Sequence, residues 1–153
     1  MQKVVITGHD LTVDQIIAVC REGAEVVLSD ESREKILASR QVVNELVEER
    51  KVVYGITTGF GKFSDVVISQ DECKLLQKNL IITHAVGAGD PFKEDIARGI
   101  LLLRVNSLSN GFSGICLETV ETMIAMLNKG VTPFIPEKGS LGASGDLAPL
   151  SHM

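Results

Sequence analysis

Residues 139–150 of the sequence, GSLGASGDLAPL, contain a tripeptide that could react with its own backbone. The amide nitrogen of Gly145 could attack the carbonyl carbon of Ala143 and close a five-membered ring, because glycine has no Cβ to obstruct the approach. Loss of the Ser144 hydroxyl as water would then turn that side chain into a methylidene group. The product would be an electron-poor alkene, an electrophile that no ordinary side chain provides. The same composition also suits a flexible loop, so the tripeptide alone leaves both interpretations open.

A second glycine-rich stretch, residues 54–62 (YGITTGFGK), does not match the known phosphate-binding motifs. A Walker loop that ended at Lys62 would need glycine in place of Ile56, and a dinucleotide-binding loop would need glycine in place of Ser64. The nucleophile elbow G-x-S-x-G of serine hydrolases also fails, because Asp146 occupies its last position. These mismatches argue against a nucleotide-binding protein and against a serine hydrolase.

The composition argues against several other classes of protein. The 153 residues are 44% hydrophobic and 23% charged, which is typical of one globular domain. A net charge of −5 without basic clusters gives nucleic-acid binding no support. The longest apolar run is far shorter than the roughly 20 residues that span a bilayer. Three scattered cysteines and three isolated histidines form no metal-binding pattern. Because the sequence starts without a basic and apolar leader, a cytoplasmic location is expected.

The residue pattern predicts a mainly α-helical domain with a small β element, which would carry these loops. We expect two paired strands over residues 4–7 and 25–28, and five helices over residues 12–23, 30–50, 69–86, 92–108 and 113–127. The first helix begins at a capping box formed by Thr12 and Gln15, and the second should place Ile36 and Leu37 on its core side. Glycines and prolines predict irregular paths at the helix end over 87–91 and over 130–136.

The helix expected over residues 92–108 is apolar on every side from Ile100 to Leu103. Such a helix must be enclosed on every side, which about five helices cannot easily achieve. One interpretation is that protein outside this chain covers part of its surface. The other is a central helix that its own neighbours wrap.

Four segments together resemble the aromatic amino-acid ammonia-lyase family, and most closely its histidine ammonia-lyase branch. They occur in the family's order and cover essentially the whole chain: residues 54–61 (YGITTGFG), 80–87 (LIITHAVG), 104–108 (RVNSL) with 111–114 (GFSG), and 139–150. Family members are several-fold longer, so residues 1–153 are similar to their N-terminal portion. The resemblance implies the N-terminal domain of the ammonia-lyase/fumarase-like helical fold, with a cofactor loop at 139–150.

The resemblance implies that Ala143, Ser144 and Gly145 form 4-methylideneimidazole-5-one (MIO), the electrophilic ring of this family. It implies neither a metal nor a nucleotide. Asp146 is expected either to assist the cyclisation or to cap the helix that follows. Gly61 is expected in a supporting role, within a loop that could close over the site.

The resemblance also assigns Tyr54 as the base that removes the β-proton of the substrate. A free phenol is mostly protonated at neutral pH, so nearby positive charge or hydrogen bonds must favour the phenolate. Thr83 and His84 fall where the family binds the substrate side chain. Phenylalanine-specific members tend to place apolar residues there, whereas a Thr-His pair suits an imidazole first and a phenol second. From the residues alone, Tyr54 also fits a packing residue and His84 a histidine at a helix end.

The resemblance thus implies a carbon–nitrogen lyase that eliminates ammonia from L-histidine to give urocanate. The family builds its sites from several subunits, so a homotetramer is expected and the isolated chain is expected to be inactive. Tyrosine ammonia-lyase, or an aminomutase of the same family, remains an alternative. A different class of protein, a helical module that self-associates without catalysis, also remains open.

Overall fold

The structure, a computed structural model, describes residues 2–59, 66, 68–140, 145 and 147–153. These residues form six helices and two two-stranded sheets, in the order β1 (Lys3–Ile6), α1 (Val13–Arg21), β2 (Glu25–Leu28), α2 (Asp30–Glu48), α3 (Gln70–His84), β3 (Ala88–Pro91), α4 (Glu94–Leu108), α5 (Leu117–Lys129), β4 (Pro136–Lys138) and α6 (Leu147–His152). The mainly α-helical prediction is therefore confirmed. None of the described helices is long and apolar enough to cross a membrane.

The first sheet pairs β1 with β2 in parallel, with Val4 opposite Val26, and α1 makes the crossover between the strands. α1 begins at the predicted capping box. The Gln15 N–H donates to Thr12 Oγ1 (3.3 Å), and Gln15 Oε1 accepts from the Thr12 N–H (2.9 Å). The expected strand pairing and helix start are both confirmed.

The core lies where one face of the first sheet meets α1, α4 and α5. Its largest contributors are almost fully buried: Val4, Ile6, Val19, Val26, Leu28, Leu101, Leu102, Val105, Val120, Ile124 and Leu127. Arg98 of α4 is also buried, and its guanidinium donates to the carbonyl oxygens of Val19 (3.0 Å) and Leu127 (3.2 Å). Burial raises the pKa of the neighbouring Cys20 thiol, although the charge of Arg98 opposes the shift. One arginine thus ties the ends of α1 and α5 to α4.

α4 is wrapped by its own neighbours on one side only. Leu101, Leu102 and Val105 are 0% exposed, whereas Leu103 is 51% exposed. Leu103 is turned well away from these three residues because successive residues of a helix are rotated by about 100°. The interpretation that neighbouring elements of this chain enclose α4 is therefore right for the side with Leu101, Leu102 and Val105, and wrong for Leu103.

α2 departs from the expected pattern at one position. Ile36 is 1% exposed, as expected for a core residue, but Leu37 is 50% exposed, so its expected place on the core side is wrong. Much of this helix holds the loop before α5 instead of the core. The Gly114 N–H donates to Ser39 Oγ (2.9 Å), and Arg40 donates to the Gly114 carbonyl oxygen (3.2 Å).

The second sheet replaces part of the irregular path expected for residues 87–91 and 130–136. β3 and β4 are antiparallel, with Ala88 opposite Lys138 and Pro91 opposite Pro136, and the register is irregular between these pairs. Prolines lack the N–H that a regular ladder needs, which is consistent with so short a sheet. By pairing residues 45 to 50 positions apart, it brings the chain after α3 beside the loop that begins at residue 139.

Candidate active site

The reactive tripeptide lies mostly outside the part of the chain that the structure describes. Four of the residues assigned to the site fall there: Gly61, Ala143, Ser144 and Asp146. The flanks of the cofactor loop are described, and Ser140 Oγ donates to the carbonyl oxygen of Gly145 (3.2 Å). The two sides of the loop therefore lie close together.

Gly145 itself has a backbone that favours glycine. Its φ is +78°, in the left-handed region, and no atom lies within 4 Å of the position that a Cβ would occupy. An L-residue would be strained there, whereas glycine adopts this conformation readily.

The end of α3 fixes the orientation of His84. Its Nδ1 lies 2.7 Å from the Leu80 carbonyl oxygen, one turn earlier in the helix. A carbonyl oxygen only accepts, so Nδ1 must carry the proton, and in the neutral ring Nε2 is then an acceptor. Thr83 is exposed, and its hydroxyl donates to the same carbonyl (3.0 Å). The pair thus offers an acceptor nitrogen on a half-buried imidazole.

The structure brings this helix end to the flanks of the cofactor loop. α3 packs against α6, the helix that follows the loop. Three residues after His84, the Gly87 N–H donates to Nε2 of His152 in α6 (2.9 Å). A Cβ added to Gly139 would lie only 2.9 Å from the Gly87 Cα atom. The end of α3, which carries Thr83 and His84, is therefore next to the described flanks of the 139–150 loop.

Tyr54 stands in a tight turn that two buried hydroxyls hold. Thr57 Oγ1 accepts from the Val53 N–H (2.9 Å) and donates to the Lys51 carbonyl oxygen (2.5 Å). Thr58 Oγ1 accepts from the Gly55 N–H (3.2 Å) in the same way. Both threonines are buried, whereas Tyr54 is 61% exposed. The turn presents the phenol outward on a rigid backbone.

The residues that follow Tyr54 lie near the middle of α3. Gly55 and Ile56 line a groove of about 560 Å³ together with Gln77 in the middle of α3 and residues of α2. Gln77 is seven residues before His84, about 10 Å along the helix axis. The turn therefore borders the same helix that carries Thr83 and His84 at its end.

Sequence patterns did not indicate a role for Thr57, Thr58 or His152. Thr57 and Thr58 were part of a matched segment, but only their burial shows that they hold the Tyr54 turn. His152 looked like an isolated histidine, and its partner Gly87 lies 65 residues away in the sequence. A contact at that separation has no local pattern by which it could be found. Within the described ranges, no group of three or more His, Cys, Asp or Glu residues could hold a metal ion.

Solved structures that share this architecture include lyases and aminomutases. An ergothioneine-degrading enzyme, Ergothionase from Treponema denticola, is 31% identical with a TM-score of 0.93, over 99% of this chain and 30% of that chain. Histidine ammonia-lyase from Trypanosoma cruzi is 43% identical with a TM-score of 0.90, over 99% of this chain and 28% of that chain. The fold therefore defines the class as an ammonia-lyase-like helical domain.

The sequence model of the family described as aromatic amino acid lyase matches residues 11–153. The chain belongs to this family. It is 61% identical over its whole length to histidine ammonia-lyase from Caldanaerobacter subterraneus subsp. tengcongensis, and 63% identical to that from Alkaliphilus oremlandii. In both comparisons the chain spans only 30% of the relative's length.

Proposed function

We propose that this chain is part of a histidine ammonia-lyase, which eliminates ammonia from L-histidine to give urocanate. The observation that carries the proposal is the Thr83-His84 pair at the end of α3, held beside the flanks of the 139–150 loop. His84 presents an acceptor nitrogen that suits the N–H of a substrate imidazole. The high identity to proteins named histidine ammonia-lyase supports the same substrate.

The described flanks fit the formation of MIO from Ala143, Ser144 and Gly145. The left-handed φ of Gly145 and the open space at its Cβ position suit a residue whose amide must reach a nearby carbonyl. The ring would supply an electron-poor methylidene to which the substrate amine could add, and the amine would then be a better leaving group. Asp146, beside the tripeptide, is proposed to assist the cyclisation or to cap α6.

The residues of the chain itself have separate tasks in this reaction. His84 binds and orients the imidazole of the substrate, with Thr83 beside it. Tyr54 takes the β-proton as the phenolate, and the buried Thr57 and Thr58 keep its turn rigid. The loop that contains Gly61 is proposed to cover the site and exclude water.

The complete site is proposed to need more protein than this chain. Since the relatives are much longer than the matched segment, groups that bind the substrate carboxylate are expected in the remainder. A homotetramer would then assemble the site from several subunits, in the cytoplasm. Tyr54 and His84 would serve one substrate in such an assembly.

An aminomutase is the second candidate, because tyrosine aminomutase from Streptomyces globisporus is 39% identical with a TM-score of 0.91. The match covers 98% of this chain and 28% of the aminomutase chain. The two reactions have different products, since an aminomutase moves the amine to the neighbouring carbon whereas a lyase releases it.

The test is turnover by the full-length protein with L-histidine, L-tyrosine and L-phenylalanine. We expect urocanate and free ammonia from L-histidine as the preferred reaction. His84→Leu should lower kcat/KM for L-histidine by about 10- to 100-fold, because one hydrogen bond to the imidazole is lost. The same variant should lose much less with L-phenylalanine, whose ring has nothing to bond. A β-amino acid as the main product, or an unchanged kcat/KM in the variant, would refute the proposal.

A further inference from the structure

Three residues from three segments meet beside the cofactor loop: Gly87 after α3, Gly139 after β4, and His152 at the end of α6. The Gly87 N–H donates to Nε2 of His152 (2.9 Å). A Cβ on Gly87 would lie 2.9 Å from the same Nε2 atom, and a Cβ on Gly139 would lie 2.9 Å from the Gly87 Cα atom. These approaches leave no room for a side chain at either glycine. We refer to Gly87, Gly139 and His152 as the brace.

The hydrogen bond defines the chemical state of His152. A backbone N–H can only donate, so Nε2 must be an unprotonated acceptor, and Nδ1 of the neutral ring carries the proton. The ring is half-buried in α6, the helix that packs on α3. This bond is thus a direct polar link between α6 and the segment that follows α3.

The brace is close in sequence to both parts of that site. Gly87 follows His84 by three residues, and Gly139 precedes Ala143 by four. A chain of four residues spans at most about 14 Å, so we expect a shift at the brace to displace both segments. A displacement of about 1 Å in a reacting group can lower a rate by about 100-fold.

We propose that His152 is a positioning residue for the ammonia-lyase reaction. Its Nε2 holds Gly87 and so keeps the end of α3, which carries His84, against Gly139 at the start of the 139–150 loop. We expect this contact to favour both substrate binding and cyclisation of the tripeptide. His152 acts through Gly87 and Gly139 and does not touch the substrate. The inference rests on the proposed function and adds to it a residue that follows the 139–150 loop in the sequence.

Positioning and simple packing make different demands on the side chain at residue 152. Packing requires volume, which Leu provides. Positioning requires an acceptor where Nε2 now stands, which the amide oxygen of Gln can reach. The amide of Asn stands closer to the position of Nδ1, so Asn is polar but too short. His152→Gln should therefore preserve the function, whereas His152→Leu and His152→Asn should both impair it.

The experiment uses these three variants of the full-length protein, with His9→Leu as the matched control because His9 is an exposed histidine on the loop after β1. Intact mass gives the fraction of chains that have lost two waters, about 36 Da, on ring formation. Steady-state kinetics with L-histidine give KM and kcat separately. We expect His152→Leu and His152→Asn to raise KM about 10-fold and to lower the cyclised fraction. His152→Gln and His9→Leu should stay within about 3-fold of the wild type.

The remaining outcomes count against the inference or against the function on which it rests. If His152→Gln is impaired as much as His152→Leu, the acceptor is not what matters; if neither is impaired, the bond positions nothing. A wild type that cyclises but does not turn over L-histidine would refute the substrate assignment, and the cyclised fractions of the variants would still decide the role of His152. A wild type that never cyclises would refute the proposed function and this inference together.

Discussion

At the residue scale, the feature that bears most directly on the proposed reaction is the exposed phenol of Tyr54, the proposed base. Its phenol is 61% exposed on a turn whose backbone groups are taken up by the buried hydroxyls of Thr57 and Thr58. Such a turn can present a base without moving it. The exposure fits a group that must reach a substrate and a further part of the protein, more than it fits a packing residue.

Tyr54→Phe removes only the phenolic oxygen and tests this role. We expect kcat with L-histidine to fall by about 100- to 10,000-fold, the usual contribution of a general base. The mass of the protein should still show ring formation, because Tyr54 has no part in the cyclisation. Steady-state kinetics and intact mass on the same sample check both points, with Phe134→Leu as a control substitution of an exposed aromatic residue outside the turn. A Tyr54→Phe variant that keeps its wild-type kcat would exclude the assignment.

At the residue scale, Thr83, His84 and Tyr54 were assigned from segments that match the family, and their roles stay predictions. The structure places the segment that follows the first two beside the loop flanks. The proposed role of His152 could not be predicted from the sequence, because its bond to Gly87 depends on how α3 and α6 pack. The role of Gly139 was hidden for the same reason, since its close approach to Gly87 appears only in three dimensions.

At the scale of elements, glycines set how closely loops and helices approach. Gly111, in the loop before α5, has φ +72°, and a Cβ there would lie 2.6 Å from Lys35 Cβ and 2.7 Å from the Lys35 carbonyl carbon in α2. Gly23, after α1, has the same φ of +72° but open space around it. A side chain at either position would adopt the same unfavourable left-handed backbone, but only at Gly111 would it also clash with α2.

Gly111→Ala should therefore destabilise the domain more than Gly23→Ala. The left-handed backbone costs about 1–2 kcal/mol in each variant, and the clash with α2 adds about 1–3 kcal/mol at Gly111 alone. Thermal unfolding of the full-length variants compares the two, and amide hydrogen exchange shows whether α2 opens first. Equal losses of stability at the two positions would mean that the loop does not press on α2.

The elements near the N-terminus follow from local sequence, whereas the second sheet does not. The capping box of Thr12 and Gln15 and the alternating strands around it fix the first β-α-β unit. β3 and β4 are rich in Gly and Pro, which predict irregular chain, and they form strands only because each finds the other across 45 to 50 positions. Leu37 lies outside the core because α2 packs on the core mainly at Ile36. Further along, α2 forms a hydrogen bond to the loop at Gly114.

At the scale of the whole molecule, an apolar groove remains open on α4. It has a volume of about 460 Å³ and lies beside the cofactor loop, lined by Phe92, Ile100, Leu103, Pro149 and Leu150 among others. Leu103 is half-exposed within it. An open apolar surface of this kind is typical of a site where other protein packs.

The isolated 153-residue chain should therefore be inactive and should self-associate. We expect no growth of urocanate absorbance on incubation with L-histidine, and sedimentation that depends on protein concentration. Leu103→Lys should weaken the association, because a charge in the groove disfavours its burial. The exposed Val13→Lys, at the start of α1 and 69% exposed, is the matched control. Urocanate that accumulates with time would contradict the expectation of inactivity.

The central claim concerns the tripeptide of Ala143, Ser144 and Gly145, and the most direct measurement is the mass of the peptide that contains it. In the full-length protein, the account predicts a peptide spanning residues 139–150 that is lighter than its sequence by two waters, about 36 Da. Ser144→Ala should abolish both this loss and the turnover of L-histidine. An active protein whose peptide has the unmodified mass would contradict the account.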